Sequence, residues 1–417
     1  MSSYIIKGGK KLSGEVNISG SKNASLPILA ASIINGKSVK LYNLPDIEDV
    51  KTTFEILKKL GCKIEKKDNY IIINSKEMDS TVIPDNLMRK LRSSVILVGA
   101  ILARFKRASF SHPGGCDIGT RPIDLHLKNF KKIGIKINEN SRYIECICDK
   151  IETKIIELDF PSVGATENLK LASVLGEHEI IINNSAMEPE IVDLSNFLNK
   201  MGAKIYGAGT KEIKVIGVKN LKEVSYTIMS DRIEAGTFLL AGAITKGSIK
   251  INRINSLYLE PVVSKLKDTG CKILIDNNSI YINGNKNIKA VDIKTMPYPG
   301  FPTDLQPIFS TYLAICDGTS KVTENIFENR FKFMQEIKKM GAKVSFDGNN
   351  MTIRGINRFH PANLECTDLR GSAAMVLAAL NANGISKITK LEYLFRGYEN
   401  FDQKLISLGA CITREEN

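Results

Sequence analysis

The residues best placed to do chemistry begin with a cysteine set among glycines. In His112-Pro-Gly-Gly-Cys116-Asp-Ile-Gly-Thr-Arg121-Pro-Ile-Asp124-Leu-His126, an arginine follows Cys116 by five positions and an aspartate by eight. Three glycines and a proline disfavour a helix or a central strand there. The thiol is therefore expected on a loop, away from the core where most free cysteines pack. Mobile backbone, a titratable thiol and a nearby guanidinium suit a lid that acts on an anionic substrate, with the thiol as nucleophile. A surface cysteine in a turn is the plain alternative.

A second set of charged residues recurs at helix starts. Ser19-Gly-Ser-Lys22-Asn23, Leu91-Arg92-Ser-Ser94, Pro161-Ser162-Val163-Gly164-Ala-Thr166, Ser230-Asp231-Arg232-Ile-Glu234, Phe301-Pro-Thr-Asp304 and Thr367-Asp368-Leu-Arg370-Gly-Ser372 each precede a run of small apolar residues. Helix N-termini favour anions. Routine capping by Ser, Thr and Asp accounts for part of each motif, but not for Lys22, Arg92 and Arg370. Asp304, behind two prolines, is a candidate general base or an N-cap. Arg330 and Arg396 fall on loops before an outer helix.

These motifs are carried by a sixfold repeat. Leu60-Gly-Cys-Lys-Ile64, Ile133-Gly-Ile-Lys-Ile137, Met201-Gly-Ala-Lys-Ile205, Thr269-Gly-Cys-Lys-Ile273, Met340-Gly-Ala-Lys-Val344 and Leu408-Gly-Ala-Cys-Ile412 recur about every 70 residues. Each phrase ends an amphipathic pattern such as Phe54–Leu60, so the glycine reads as a helix C-cap. A strand, a hairpin turn and a second strand follow. Upstream lies a helix of small apolar residues that looks buried all round, for example 24–34, 93–103 or 233–244. The expected unit is βαβαββ. Six of them suit two three-repeat domains, 21–229 with the Cys116 lid, and 1–20 together with 230–417. The strand at Tyr4–Lys7 would then pair within the second domain, and two sets of helix ends would face each other across a cleft.

Composition narrows the function. The chain has 417 residues, 43% hydrophobic and 25% charged, which is ordinary globular material. Its net charge of +13 comes from lysines spread over predicted helix faces and turns, with no basic tail, no Trp and no nucleic-acid motif, so a nucleic-acid partner is not expected. Eight cysteines include no Cys-x-x-Cys pair, and with four histidines they offer no metal pattern. Cys146 and Cys148 alternate along a strand and read as packing. The N-terminal residues lack a signal-peptide stretch, and the longest apolar runs are too short to span a bilayer. A cytoplasmic protein without a membrane partner is expected. Oligomeric state is not legible.

In Ser19–Asn23, Gly114–His126, Ser162–Thr166, Glu188-Pro-Glu-Ile-Val-Asp193, Asp231–Thr237, Phe301–Asp304, Phe327-Glu-Asn-Arg330, Thr367–Arg370 and Arg396-Gly-Tyr398, the chain resembles the UDP-N-acetylglucosamine enolpyruvyl transferases, over about residues 4–414. The resemblance implies a two-domain inside-out α/β barrel with its active site in the interdomain cleft. It implies transfer of enolpyruvate from phosphoenolpyruvate to the 3′-hydroxyl of UDP-N-acetylglucosamine, with release of phosphate, through a tetrahedral ketal; this is the first committed step of peptidoglycan synthesis. No metal or organic cofactor is implied. Cys116 becomes the general acid rather than primarily a nucleophile, and the thiol that the epoxide fosfomycin alkylates. Asp304 would act on the hydroxyl proton. Lys22, Arg121 and Arg396 would hold phosphoenolpyruvate, and Asn23 would aid the intermediate. Arg92, Arg121, Pro122, Ile123, Asp124, Leu125, Ser162, Val163, Gly164, Asp304 and Ile326 would contact the nucleotide sugar, with Arg330, Asp368 and Arg370 as support. Phe160 and Glu48 stand where some members carry basic residues. The alternatives are an enzyme like 5-enolpyruvylshikimate-3-phosphate synthase, against which the Gly-Gly-Cys lid argues, and a non-catalytic protein that binds the nucleotide sugar.

Overall fold

A computed structural model describes residues 2–112, 123–140, 142–284 and 287–416. The chain divides into two compact units. The first runs between Gly20 and Met229, and the second joins the residues up to Ser19 to those from Ser230 onward. Each has its own apolar core.

In the first unit the buried helices are Lys22–Ala31, Ile96–Phe105 and Val163–Ser173. In the second they are Arg232–Ile244, Gln306–Leu313 and Leu369–Asn381. Their residues are mostly apolar on every side, and every residue of Arg232–Ile244 is buried. Such a helix can be stable only inside a shell of other elements. The shell consists of sheets and of amphipathic helices with one buried face, such as Glu48–Lys59, Pro189–Lys200 and Glu260–Asp268. Each unit is thus an inside-out α/β barrel.

The six repeat glycines, 61, 134, 202, 270, 341 and 409, all adopt positive φ, between 91° and 102°. Five of them stand one residue past the C-cap, and Gly341 two past, rather than on it, a correction to the sequence reading. Cys62 N–H donates to Leu57 O at 2.9 Å while Gly61 N–H donates to Lys58 O at 3.0 Å, which is a Schellman closure. The same pair of bonds forms at Gly134, Gly202, Gly270 and Gly409. Each closure turns the outer helix into the first strand of a hairpin.

All six sheets share one plan: a strand with one parallel neighbour, then antiparallel pairs. Three of them use a strand from a distant repeat. Ser13–Asn17 pairs in parallel with Ser248–Asn252, whereas Val224–Thr227 pairs in parallel with Ser38–Tyr42. The chain passes from one unit to the other just after each of these strands and just before a buried helix. Ser2–Lys7 lies between Ile385–Thr389 and Cys411–Glu416, antiparallel to both. In the sheet of Arg107–Phe110 the parallel neighbour shrinks to one bridge, Val82 to Ser109. Cys146 and Cys148 are both buried.

Candidate active site

The motif residues gather at the starts of the buried helices. In the first unit Ser21 caps Lys22–Ala31, its hydroxyl accepting from Ala24 N–H, and Ser162 caps Val163–Ser173 in the same way. Lys22 and Asn23 therefore occupy the first turn of one helix, and Val163 and Gly164 that of another. Arg92 opens the 3₁₀ turn Arg92–Val95 that leads into Ile96–Phe105. Lys22 Nζ pairs with Asp49 Oδ2 at 2.8 Å. Asp49 is a buried residue in the first turn of the outer helix Glu48–Lys59.

Arg92, Gly164 and His126 are brought together. The His126 ring lies against Gly164, where an added Cβ would come within 2.9 Å of Cε1. Asn168 holds the ring from the other side. Its Oδ1 accepts from Gly99 N–H at 2.9 Å, so its amide nitrogen donates to Val95 O at 3.1 Å and to His126 Nδ1 at 2.8 Å. An imidazole that accepts at Nδ1 is neutral and carries its proton on Nε2. Burial, helped by the charge of Arg92, pushes its pKa down to about 4. His126 is a residue the sequence motif contains but for which sequence reasoning assigned no role. Its partner Asn168 is one of several polar residues buried in the helix Val163–Ser173, so no single residue marked it. Ile123 is buried just before the helix Asp124–Lys132, Asp124 is exposed and Leu125 half-buried. Cys116, Arg121 and Pro122 lie outside the described residues.

In the second unit Asp304 is the centre. Arg330 Nη2 donates to its Oδ1 at 3.0 Å, and Arg370 donates to its Oδ2 through Nη2 at 2.9 Å and Nε at 3.3 Å. The carboxylate is a quarter exposed, while both guanidinium groups are buried. Asp304 therefore faces arginines and does not cap a helix. Capping falls to Asp368, which accepts from Arg370 N–H and Gly371 N–H at 3.0 Å each, and to Asp231, which accepts from Ile233 and Glu234 N–H. Burial works to lower the Arg370 pKa, but Asp304 and other neighbouring groups outweigh it and the pKa rises, so the guanidinium stays charged. Among the described residues its Nη1 is buried without a hydrogen-bond partner. The guanidinium also lies 5.4 Å from the Tyr398 ring centroid, and the Tyr398 hydroxyl meets Thr237 Oγ1 at 2.9 Å. Arg396 ends the short helix Glu392–Phe395 and is half-buried. Ile326 follows Glu324, whose carboxylate accepts from its N–H at 2.8 Å. Among the described residues no cluster of His, Cys, Asp and Glu could hold a metal ion, and no helix is long and apolar enough to cross a membrane.

These elements define an enolpyruvyl transferase fold. The family model described as EPSP synthase (3-phosphoshikimate 1-carboxyvinyltransferase) matches residues 6–405. The solved enolpyruvyl transferase NikO from Streptomyces tendae superposes with a TM-score of 0.90 at 23% identity, covering 99% of each chain. EPSP synthase from Acinetobacter baumannii gives 0.78 at 18%, covering 100% of each chain. At those identities the likeness establishes the fold alone. Curated relatives are more specific. A UDP-N-acetylglucosamine 1-carboxyvinyltransferase 2 from Caldanaerobacter subterraneus subsp. tengcongensis is 49% identical over 99% of this chain and 100% of its own. One of the same name from Clostridium tetani is 47% identical over the same shares. The chain belongs to the UDP-N-acetylglucosamine 1-carboxyvinyltransferase family.

Proposed function

We propose that this protein transfers the enolpyruvyl group of phosphoenolpyruvate to the 3′-hydroxyl of UDP-N-acetylglucosamine in the cytoplasm and releases phosphate, committing the sugar to peptidoglycan synthesis. The observation that carries the reading is near-full-length likeness, at 49% identity, to a relative named for that reaction.

In the addition step the Cys116 thiol gives its proton to C3 of phosphoenolpyruvate while the sugar oxygen bonds to C2, producing a tetrahedral ketal. In the elimination step C3 loses a proton and the C2–O bond to phosphate breaks. Lys22, Arg121 and Arg396 hold the phosphate and carboxylate, and Asn23 supports the ketal. Cations at these positions stabilise the charge that develops as the addition proceeds. Asp304 takes the hydroxyl proton. Its oxygens accept from Arg330 and Arg370, and the arginines orient the carboxylate. Arg92, Ile123, Asp124, Leu125, Ser162, Val163, Gly164 and Ile326 line the nucleotide sugar, with Asp368 and Arg370 behind them.

The test is phosphate release with both substrates, comparing wild type with Cys116→Ala. Wild type is expected to turn over and the variant to lose nearly all activity. Fosfomycin is expected to add its mass at Cys116. Turnover with shikimate 3-phosphate but not with UDP-N-acetylglucosamine sinks the acceptor assignment. Sugar binding without phosphate release sinks catalysis.

A further inference from the structure

Two segments in the second unit carry proposed substrate contacts. One is the loop that leaves the short strand Ile293–Lys294 and leads to Asp304. The other is the turn from Glu324 to Arg330, which contains Ile326. One buried carboxylate ties them together. Glu324 Oε1 accepts from the Thr295 hydroxyl at 2.9 Å, from Ile326 N–H at 2.8 Å and from Phe327 N–H at 3.1 Å. Its Oε2 accepts from the Thr303 hydroxyl at 3.1 Å. Glu324 is 3% exposed. Its four donors are thus the two ends of the 295–303 loop and the two backbone amides that set Ile326.

The loop is closed elsewhere as well. Met296 N–H donates to Phe301 O at 3.1 Å and Asn325 N–H to Thr295 Oγ1 at 2.9 Å. Arg330, at the end of the turn, donates to Thr303 O at 3.3 Å and to Asp304, but among the described residues Glu324 alone bonds both the Thr303 side chain and Ile326. A carboxylate with four donors meets the need of a buried anion for hydrogen bonds, and its two oxygens fix the separation of the segments they hold. Apolar packing could close the same loop without that precision.

We propose that Glu324 is a positioning residue that sets Asp304 and Ile326 in register for the nucleotide sugar. The inference rests on the proposed enolpyruvyl transfer. It touches no reacting atom.

Phosphate release by Glu324→Ala, Glu324→Gln and Thr303→Val tests it, with separate kcat and KM for each substrate and a thermal melt of each variant. Misplacing a reacting group by about 1 Å costs ~100-fold. Glu324→Ala is therefore expected to lose about 100-fold in kcat/KM for the nucleotide sugar, with the KM for phosphoenolpyruvate within about threefold of wild type, as both segments lose one tie. Gln keeps an acceptor for Thr295, Ile326 and Phe327 and can donate to the Thr303 oxygen, so Glu324→Gln is expected to recover most of that loss. Thr303→Val cuts only the tie beside Asp304. It should lower kcat about tenfold, the worth of a single hydrogen bond, with the nucleotide-sugar KM held. Should Glu324→Ala fail to fold, Thr303→Val decides alone. Unchanged kcat in Thr303→Val overturns the inference, and so does a Gln variant as poor as Ala, which would mean that charge and not placement matters. A wild type that releases no phosphate defeats the enzymatic reading instead, so the two failures are distinguishable.

Discussion

Arginine does opposite things in the two units. Beside His126, the charge of Arg92 adds to burial and keeps the imidazole neutral. Around Asp304, two buried arginines meet a carboxylate, and Arg370 is driven further towards its charged form. The difference lies in the neighbour. A base gains nothing by taking a proton next to a cation, whereas an acid gains by losing one. The first arrangement sets a neutral ring beside a cation. The second spends most of its positive charge on holding one carboxylate in place.

The contrast is broken most sharply at Arg370. Arg370→Ala removes one guanidinium from a buried pair and should cost about 3 kcal/mol of stability, at the low end for such pairs because Arg330 still holds Asp304. Urea unfolding measures it, and a loss below that of an exposed ion pair would mean that the Asp304 cluster is not a structural centre. Next is Asn168→Ala, which orphans the Gly99 amide and frees His126 Nδ1. A loss of about 2 kcal/mol is expected, together with a rise in the His126 pKa seen by NMR titration. Wild-type stability would show that the ring is held by packing alone. The third test is pH dependence. His126 has its ordinary pKa of 6.5 when unfolded and about 4 when folded. Between those values the unfolded chain binds a proton that the native state does not. This contribution is complete above pH 6.5 and is lost as pH falls towards 4, with a slope of at most about 1.4 kcal/mol per pH unit. His126→Gln should flatten that part of the curve. An unaltered slope would assign it to other groups.

Much of the fold was legible because its signals are local. The Gly-x-Lys-Ile phrase repeats since each outer helix must close through a positive-φ residue before a strand, and only glycine does that without strain. The buried helices were readable because runs of mostly apolar residues with few charges suit the inside of a shell. The strand exchange of Ser13–Asn17 and Val224–Thr227 was not, since β-pairing joins residues about 200 positions apart and leaves no mark in either segment. Site residues were legible where a charge interrupts a helix start, as at Arg92, Asp304 and Arg370. Asp49, His126 and Glu324 act through partners on other elements. Each looks like an ordinary surface residue until tertiary packing sets it beside Lys22, Arg92 or Thr303.

The exchanged strands also bear on how the chain is made. Ile6 pairs with Ser386, 380 positions later. At bacterial and eukaryotic elongation rates of about 5–20 residues per second, that strand waits roughly 20–80 s for its partner. The first unit is complete once Val224–Thr227 has emerged and docked on Ser38–Tyr42. It can therefore fold on the ribosome while the opening segment of the second unit remains unpaired, with its strand edges open to chaperones or to the wrong neighbour.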